Sequence, residues 1–184
     1  MSQLLGHVDY LEEAIEQVSL RIDEVMAPYA EEVQRLDTIP GVSKRVAEVL
    51  IAEIGPDMTV FPTARHLASW AGLCPGNNES AGKRRAGTTR KGNGWLRATL
   101  TEAAAAASRK KDSALAARYR RVMRRRGHNK AIIAVAHAIL VTTYHMLLRK
   151  TTYQDPGPDY YDRRHSERLR RPVLSKHWRA KAIA

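Results

Sequence analysis

The chain has 184 residues, with 31 Lys+Arg against 19 Asp+Glu, a formal charge of +12 and a pI near 10.2. A hydrophobic share of 43% supports a packed core and excludes wholesale disorder, while a single cysteine, Cys74, excludes a disulfide framework and any multi-cysteine zinc site. The acidic amphipathic N-terminus is no secretory signal and no transmembrane helix is expected, so the chain reads as a cytoplasmic protein whose partner is a polyanion rather than a membrane.

The charge is divided along the chain. Residues 1–37 carry a net −7 and residues 38–184 a net +19, with 16 bases against only Glu102 and Asp112 between 83 and 130. A basic half beside an acidic arm favours a nucleic-acid-binding face over a merely solvated surface. Three units follow: an arm over 1–37, a helical domain over 38–150 and a basic tail over 151–184. The fold class expected is all-α.

In the arm, Leu4, Val8, Leu11, Ile15, Val18, Ile22, Val25 and Tyr29 recur at alternating spacings of four and three. Such a seam either docks on its own domain or pairs with a second chain. Its two-position narrowness favours a coiled coil and a homo-oligomer. Pro28 is expected to break the helix near Tyr29. The abrupt start inside a regular heptad reads as a chain missing an upstream part.

Next comes Ile39-Pro40-Gly41-Val42, between a helix end and a second helix expected over 43–54. This resembles the helix-hairpin-helix element of DNA-binding proteins. Gly41 permits the tight turn and Ser43 is placed to cap the second helix. First-turn amides, with Lys44 and Arg45, are suited to hold one phosphate without reading sequence. The alternative is an ordinary connection between packed helices.

Thr63 is expected to cap a short helix through Leu67 and Trp70. Six of the 11 glycines then fall within 72–94, interleaved with Lys83, Arg84, Arg85, Arg90 and Lys91. This long Gly-rich basic loop suits close approach to a phosphate backbone. Ser80 lies inside it. By spacing alone it reads as a loop serine, although neighbouring cations are the kind of group that stabilises a pentacovalent phosphorus.

Asn93 is placed to cap a helix over 94–110 that begins with Arg97, Asp112 one over 113–126, and Asn129 one over 130–149. The last carries the most apolar sequence. Arg118, Arg120, Arg121, Arg124, Arg125 and Arg126 around the second of these, and Lys130 at the start of the third, read as backbone contacts. His137 and His145 have no partner at ligand spacing and read as core or interface histidines. The tail over 151–184, with Pro156-Gly157-Pro158 near its start, is expected to be weakly ordered, with a short helix near 160–170. Tyr160 and Tyr161 either stack on bases or pack on a partner.

Taken together, Ile-Pro-Gly-Val at 39–42, Ala-Gly-Leu-Cys-Pro at 71–75, Arg-Lys-Gly at 90–92 with Leu96-Arg97, and Asn-Lys-Ala-Ile-Ile-Ala-Val-Ala at 129–136 resemble one family. It is the C-terminal transposase domain of the insertion-sequence one-ten and eleven-eleven transposases, DEDD-type recombinases of which some are guided by a bridge RNA. The likeness extends over about residues 33–150, and the acidic heptad arm is similar to the coiled coil preceding that domain. The resemblance implies that Ser80 is the catalytic serine, attacking DNA to form a phosphoserine link, with Lys83, Arg84 and Arg85 holding the backbone. Glu79 and Ala81 stand where the family has a small residue or serine and a glycine. It also implies an N-terminal RuvC-like domain with Asp/Glu ligands for Mg2+, which has no counterpart in this sequence. The chain is thus expected to hold no metal or other cofactor, to be inactive alone and to act on DNA at the nucleoid. A helix-hairpin-helix module that binds DNA or RNA without chemistry is the competing expectation, and a dimerising structural protein the third.

Overall fold

The uncharged run 131–148 forms the centre of the domain, with the helices Ala64–Trp70, Gly94–Arg109 and Ala114–Arg126 packed around it. A computed structural model describes residues 2–75, 79–80, 83–84, 89, 91–164 and 166. In chain order the elements are α1 (Ser2–Met26), α2 (Ala30–Asp37), α3 (Lys44–Ile54), α4 (Ala64–Trp70), β1 (Glu79–Ser80), β2 (Lys83–Arg84), α5 (Gly94–Arg109), α6 (Ala114–Arg126) and α7 (His128–Arg149). Turns of 3₁₀ helix lie at Ala27–Tyr29 and Met58–Val60. The fold is all-α, as expected, apart from the two-residue antiparallel ladder β1–β2.

α7 packs against α4, α5 and α6 and touches α2. Val135, Ala136, Ile139 and Leu140 are fully buried on it. By length and composition alone α7 is long and apolar enough to cross a membrane, which corrects the expectation that no helix would pass that test. Most of its apolar stretch is buried inside the domain, so packing within the fold accounts for its composition. α5 presents Ala103, Ala104 and Ala107 to the core, and these small side chains let neighbouring backbone come close. Leu36, Leu50, Leu67, Leu73, Leu96 and Leu100 complete the interior.

Three α-helices, α3, α5 and α6, start at side-chain caps. Ser43 accepts from the Val46 amide, and Asn93 accepts from the Leu96 amide at 3.0 Å. Two expected caps are displaced. α6 is capped by Ser113, whose Oγ accepts from the Ala116 amide at 3.1 Å, while Asp112 sits one residue earlier in a left-handed turn with φ 56°. α7 starts at His128 after Gly127, with no side-chain cap, so Asn129 lies within its first turn. Thr63 precedes α4, but its hydroxyl faces His66 Nδ1 at 2.9 Å rather than an amide.

The arm breaks where Pro28 predicts, at the 3₁₀ turn between α1 and α2. Along α1, Leu4, Val8, Leu11, Ile15, Val18 and Val25 remain exposed, so the heptad seam is not covered by the chain's own domain. Only its C-terminal end is attached: Met26 packs at the core edge, and Asp23 and Ser19 reach α3.

The tail departs from expectation over 151–164. The Tyr153 amide donates to Thr38 Oγ1 at 3.0 Å, and Asp155 accepts from the Ala114 amide at 3.0 Å. Arg121 donates to the Tyr161 carbonyl at 3.0 Å and pairs with Asp162 at 3.1 Å. This segment is therefore docked along α6 and α7. A short helical stretch covers 160–164.

Candidate nucleic-acid interface

The Gly-rich segment is held at its base. At Gly92 a Cβ would lie 2.4 Å from the Gly72 nitrogen, so the chain entering α5 passes directly against the chain leaving α4. Gly72 has φ 69°, and Pro75 bridges Thr89 in antiparallel fashion. Leu73 and Leu96, both buried, fix the two sides in the core. Above this base, Ser80 is the register partner of Lys83 and Glu79 that of Arg84. A loop expectation thus becomes a hairpin that carries the candidate serine beside a lysine in register. Arg85 and Arg90 lie outside the described residues.

Two open grooves meet at Asn129 and Ile133 of α7, and the first of them reaches that base. One, of about 610 Å3, is lined by Leu73, Pro75 and Thr89 on one side and by Arg126, Asn129 and Lys130 on the other. The second, of about 630 Å3, runs between Arg97 and Thr101 of α5 and His128 and Asn129 of α7. The α6–α7 corner is turned by Gly127 at φ 81° and fixed by the Tyr119 hydroxyl at 2.8 Å from His128 Nδ1. Arg124, Arg125, Arg126 and Lys130 are exposed there, and Lys91 is exposed near the base. None of these, nor Arg97, has a carboxylate partner among the described residues, so their charge faces solvent. The uncapped first turn of α7 adds amide dipoles of the same sign.

Sequence reasoning missed two residues of this surface. Asn129 becomes groove-lining, beside the Arg126 expected as a backbone contact, only because α6 and α7 fold back on the Gly-rich base. Trp95 is 80% exposed at the start of α5, two residues before Arg97. Its signal was present in Gly92-Asn93-Gly94-Trp95: a large aromatic in a helix's first turn, where no core partner is in reach.

The α2–α3 hairpin has a different geometry. Ile39, Pro40 and Val42 are buried, and Gly41, at φ 84°, presses on α5. A Cβ there would meet the Ala103 carbonyl oxygen at 2.3 Å. Gly41 therefore serves helix packing. The cations beside it are engaged within the chain. Lys44 Nζ donates to Asp23 at 2.7 Å, and Arg45 donates to Glu48 at 2.8 Å and to Ser19 Oγ at 3.0 Å. The hydrogen bond that the Lys44 ammonium donates to Asp23 holds it above the ordinary lysine range. Glu48 is 4% exposed, a buried carboxylate that these two bases balance. Ser43 is occupied as the cap of α3.

Burial pushes the Cys74 thiol up, so it stays protonated. Among the described residues no three His, Cys, Asp or Glu side chains come together as metal ligands. His137 is half-buried and His145 exposed, so neither is a core histidine.

Comparison with known proteins identifies the segment that builds this surface. The model of the IS116/IS110/IS902 transposase family matches residues 33–120, from α2 through the Gly-rich hairpin and α5 into α6. The chain belongs, over this stretch, to that transposase family. It is 34% identical over 125 residues to "Insertion element IS110 uncharacterized 43.6 kDa protein" of Streptomyces coelicolor, covering 67% of this chain and 30% of that protein. It is 41% identical over 68 residues to "Putative transposase y4pF/y4sB" of Sinorhizobium fredii, covering 36% of this chain and 17% of that one. The chain thus spans less than a third of the length of these curated relatives. The hairpin carrying Ser80, the Arg97 face of α5 and the first half of α6 lie inside the match, while α1, the Arg124–Arg126 end of α6, α7 and the docked segment 151–164 lie outside it.

Proposed function

We propose that this chain is the DNA-binding, serine-bearing part of a transposase, with Ser80 as the nucleophile. One observation carries the reading: the family match covers a basic hairpin in which Ser80 pairs in register with Lys83, anchored over an arginine-rich corner. The Ser80 hydroxyl gives up its proton and its oxygen bonds to phosphorus. The strand oxygen leaves and takes up a proton. The phosphodiester energy is retained in the phosphoserine link, so the reverse attack by a strand hydroxyl rejoins DNA. Lys83, Arg84 and Arg85 neutralise the charge that develops on the phosphoryl oxygens. Lys91, Arg97, Arg124, Arg125, Arg126 and Lys130 track the flanking backbone, and Arg90 extends that track. The same face accepts a guide RNA, because phosphate contacts do not depend on base identity.

The Mg2+ that the resemblance implies finds no ligand cluster among the described residues, so no step is assigned to it in this chain. A RuvC-like domain, in a longer protein or a partner chain, is its proposed carrier. The exposed heptad of α1 is the proposed oligomerisation seam, a parallel or antiparallel coiled coil.

The test is a trapping experiment with a suicide DNA substrate and an intact RuvC-like domain supplied. DNA becomes covalently attached at Ser80, and Ser80→Ala abolishes the adduct while binding persists. An adduct that survives in Ser80→Ala overturns the assignment of the serine. The absence of any adduct with the native chain leaves a non-catalytic helix-hairpin-helix binding module instead.

A further inference from the structure

Further along α7 from the groove at the Gly-rich base, the docked segment 151–164 encloses another cleft. It has a volume of about 500 Å3 and lies between α7, the start of α6 and residues 151–164. Three arginines line it: Arg118, Arg149 and Arg164. Among the described residues no carboxylate lines it, and none of the three arginines has a carboxylate partner. Asp155 and Asp162, the nearest acids of the docked segment with defined contacts, are occupied elsewhere. Asp155 accepts from the Ala114 and Gly157 amides, and Asp162 pairs with Arg121.

The cleft also carries aromatic surface. Tyr160 and Tyr161 stand edge to face, with ring centroids 5.0 Å apart and planes at 77°, and both are half-buried. Arg118 lies over the Tyr161 ring at 5.4 Å and donates to its hydroxyl at 3.4 Å. Arg164 lies over the Tyr160 ring at 6.0 Å. Arg118 is further held by the Ala134 carbonyl at 2.9 Å, so one cation of the cleft is fixed in place before any ligand arrives.

Concentrated positive charge selects an anion. The tyrosine pair and the concave shape select one that brings a planar ring. A cleft in the range of about 300–1,000 Å3 accepts one nucleotide and excludes a duplex. Position decides between nucleic acid and an acidic peptide. Arg118 and His137 line both this cleft and the groove beneath the Gly-rich segment, so the two sites are neighbours along one face of α7. We propose that this cleft binds single-stranded nucleic acid, its arginines holding a phosphodiester and Tyr160 and Tyr161 supporting one unpaired base. It is a separate site from Ser80 and does not depend on that serine being a nucleophile. Its natural ligand is the unpaired part of a nucleic acid whose duplex part lies on the basic corner.

The probe is a fluorescein-labelled oligothymidylate of about six nucleotides carrying one photoreactive 4-thiothymidine, used with the full chain; this length suits a short single-strand site. Crosslinks mapped by mass spectrometry are expected on Tyr160 or Tyr161. The double variant Arg149→Ala with Arg164→Ala, both exposed side chains, is expected to weaken binding about tenfold and to flatten the salt dependence by about 0.7 for each phosphate no longer neutralised. Arg124→Ala with Arg125→Ala serves as the comparison and leaves the tyrosine crosslink in place. Crosslinks confined to the α6–α7 corner or the Gly-rich segment overturn the proposal. So does unchanged oligonucleotide affinity in the Arg149/Arg164 variant when its melting profile matches the native chain. Displacement of the bound oligonucleotide by an acidic peptide at equal charge concentration also overturns it in favour of a protein ligand.

Discussion

At Gly41 a Cβ would lie 2.3 Å from the Ala103 carbonyl oxygen and 2.5 Å from the Ala107 amide nitrogen, on a backbone with φ 84°. Both features oppose any side chain: the left-handed conformation strains it, and α5 leaves no room for it. Gly41→Ala is expected to cost about 2–4 kcal/mol in urea unfolding, combining left-handed strain with overpacking. DNA affinity measured where the variant is still folded should change little. Native stability combined with lost binding would instead return Gly41 to the ligand surface. The sequence marked this glycine correctly as irreplaceable. It could not say what approaches the glycine, because Ala103 and Ala107 are more than 60 residues away. Gly92 repeats the lesson against Gly72, where the approach anchors the base of the Ser80 hairpin.

Among the elements, α1 has an effect on α3 that its heptad pattern does not disclose. Asp23 and Ser19 meet the two cations on the first turn of α3 that the hairpin motif would present to phosphate. If that turn also contacts DNA, the arm competes with it. Ser19→Ala with Asp23→Ala should then raise duplex affinity at low salt and steepen the salt dependence by about 0.9 for each cation freed. An unchanged slope would mean that Lys44 and Arg45 serve only to balance Glu48 and hold the arm. Cap displacements belong to the same scale. Asp112 and Ser113 are both good cap residues, as are Asn129 and, less strongly, Gly127. One or two residues of register decide between the members of each pair. Local sequence cannot decide that register, because the packing of α6 and α7 on α5 sets it.

For the whole molecule, segregation of charge is the governing feature: an arm of −7 against a body of +19. The basic side chains of α6 are divided by the fold between two surfaces. Arg126 lines the groove at the Gly-rich base and Arg124 and Arg125 are exposed beside it, whereas Arg121 holds the docked segment 151–164 and Arg118 reaches both. His137 lies between the two, and burial, reinforced by the Arg118 charge, pushes its pKa below the usual 6.5. The folded state therefore keeps His137 neutral where the unfolded chain binds a proton. That stability is fully present above about pH 6.5 and is lost as the pH falls toward the lower folded value. Thermal melts between pH 8 and pH 5 should show a decline below that point, and His137→Gln should reduce the slope. An identical slope in the variant would assign the acid sensitivity to other groups.

The sequence by itself determined the all-α class, the break at Pro28, the caps Ser43 and Asn93, and the heptad seam of α1. Each rests on residues within about one or two helical turns of one another, so short-range sterics and hydrogen bonding suffice. The charge division also set the acidic arm apart from the basic body. Only the tertiary structure decided which cations are free and which are paired. Lys44 and Arg45 read like Arg124 and Arg125 in the sequence, yet the first two meet carboxylates and the second two meet solvent. Only the tertiary structure joined Pro75 to Thr89 beneath the serine hairpin, and only it folded the tail against α7. Those outcomes depend on pairs a dozen or more residues apart. The buried face of α7 brings them together, and no local pattern encodes which partner will be met there.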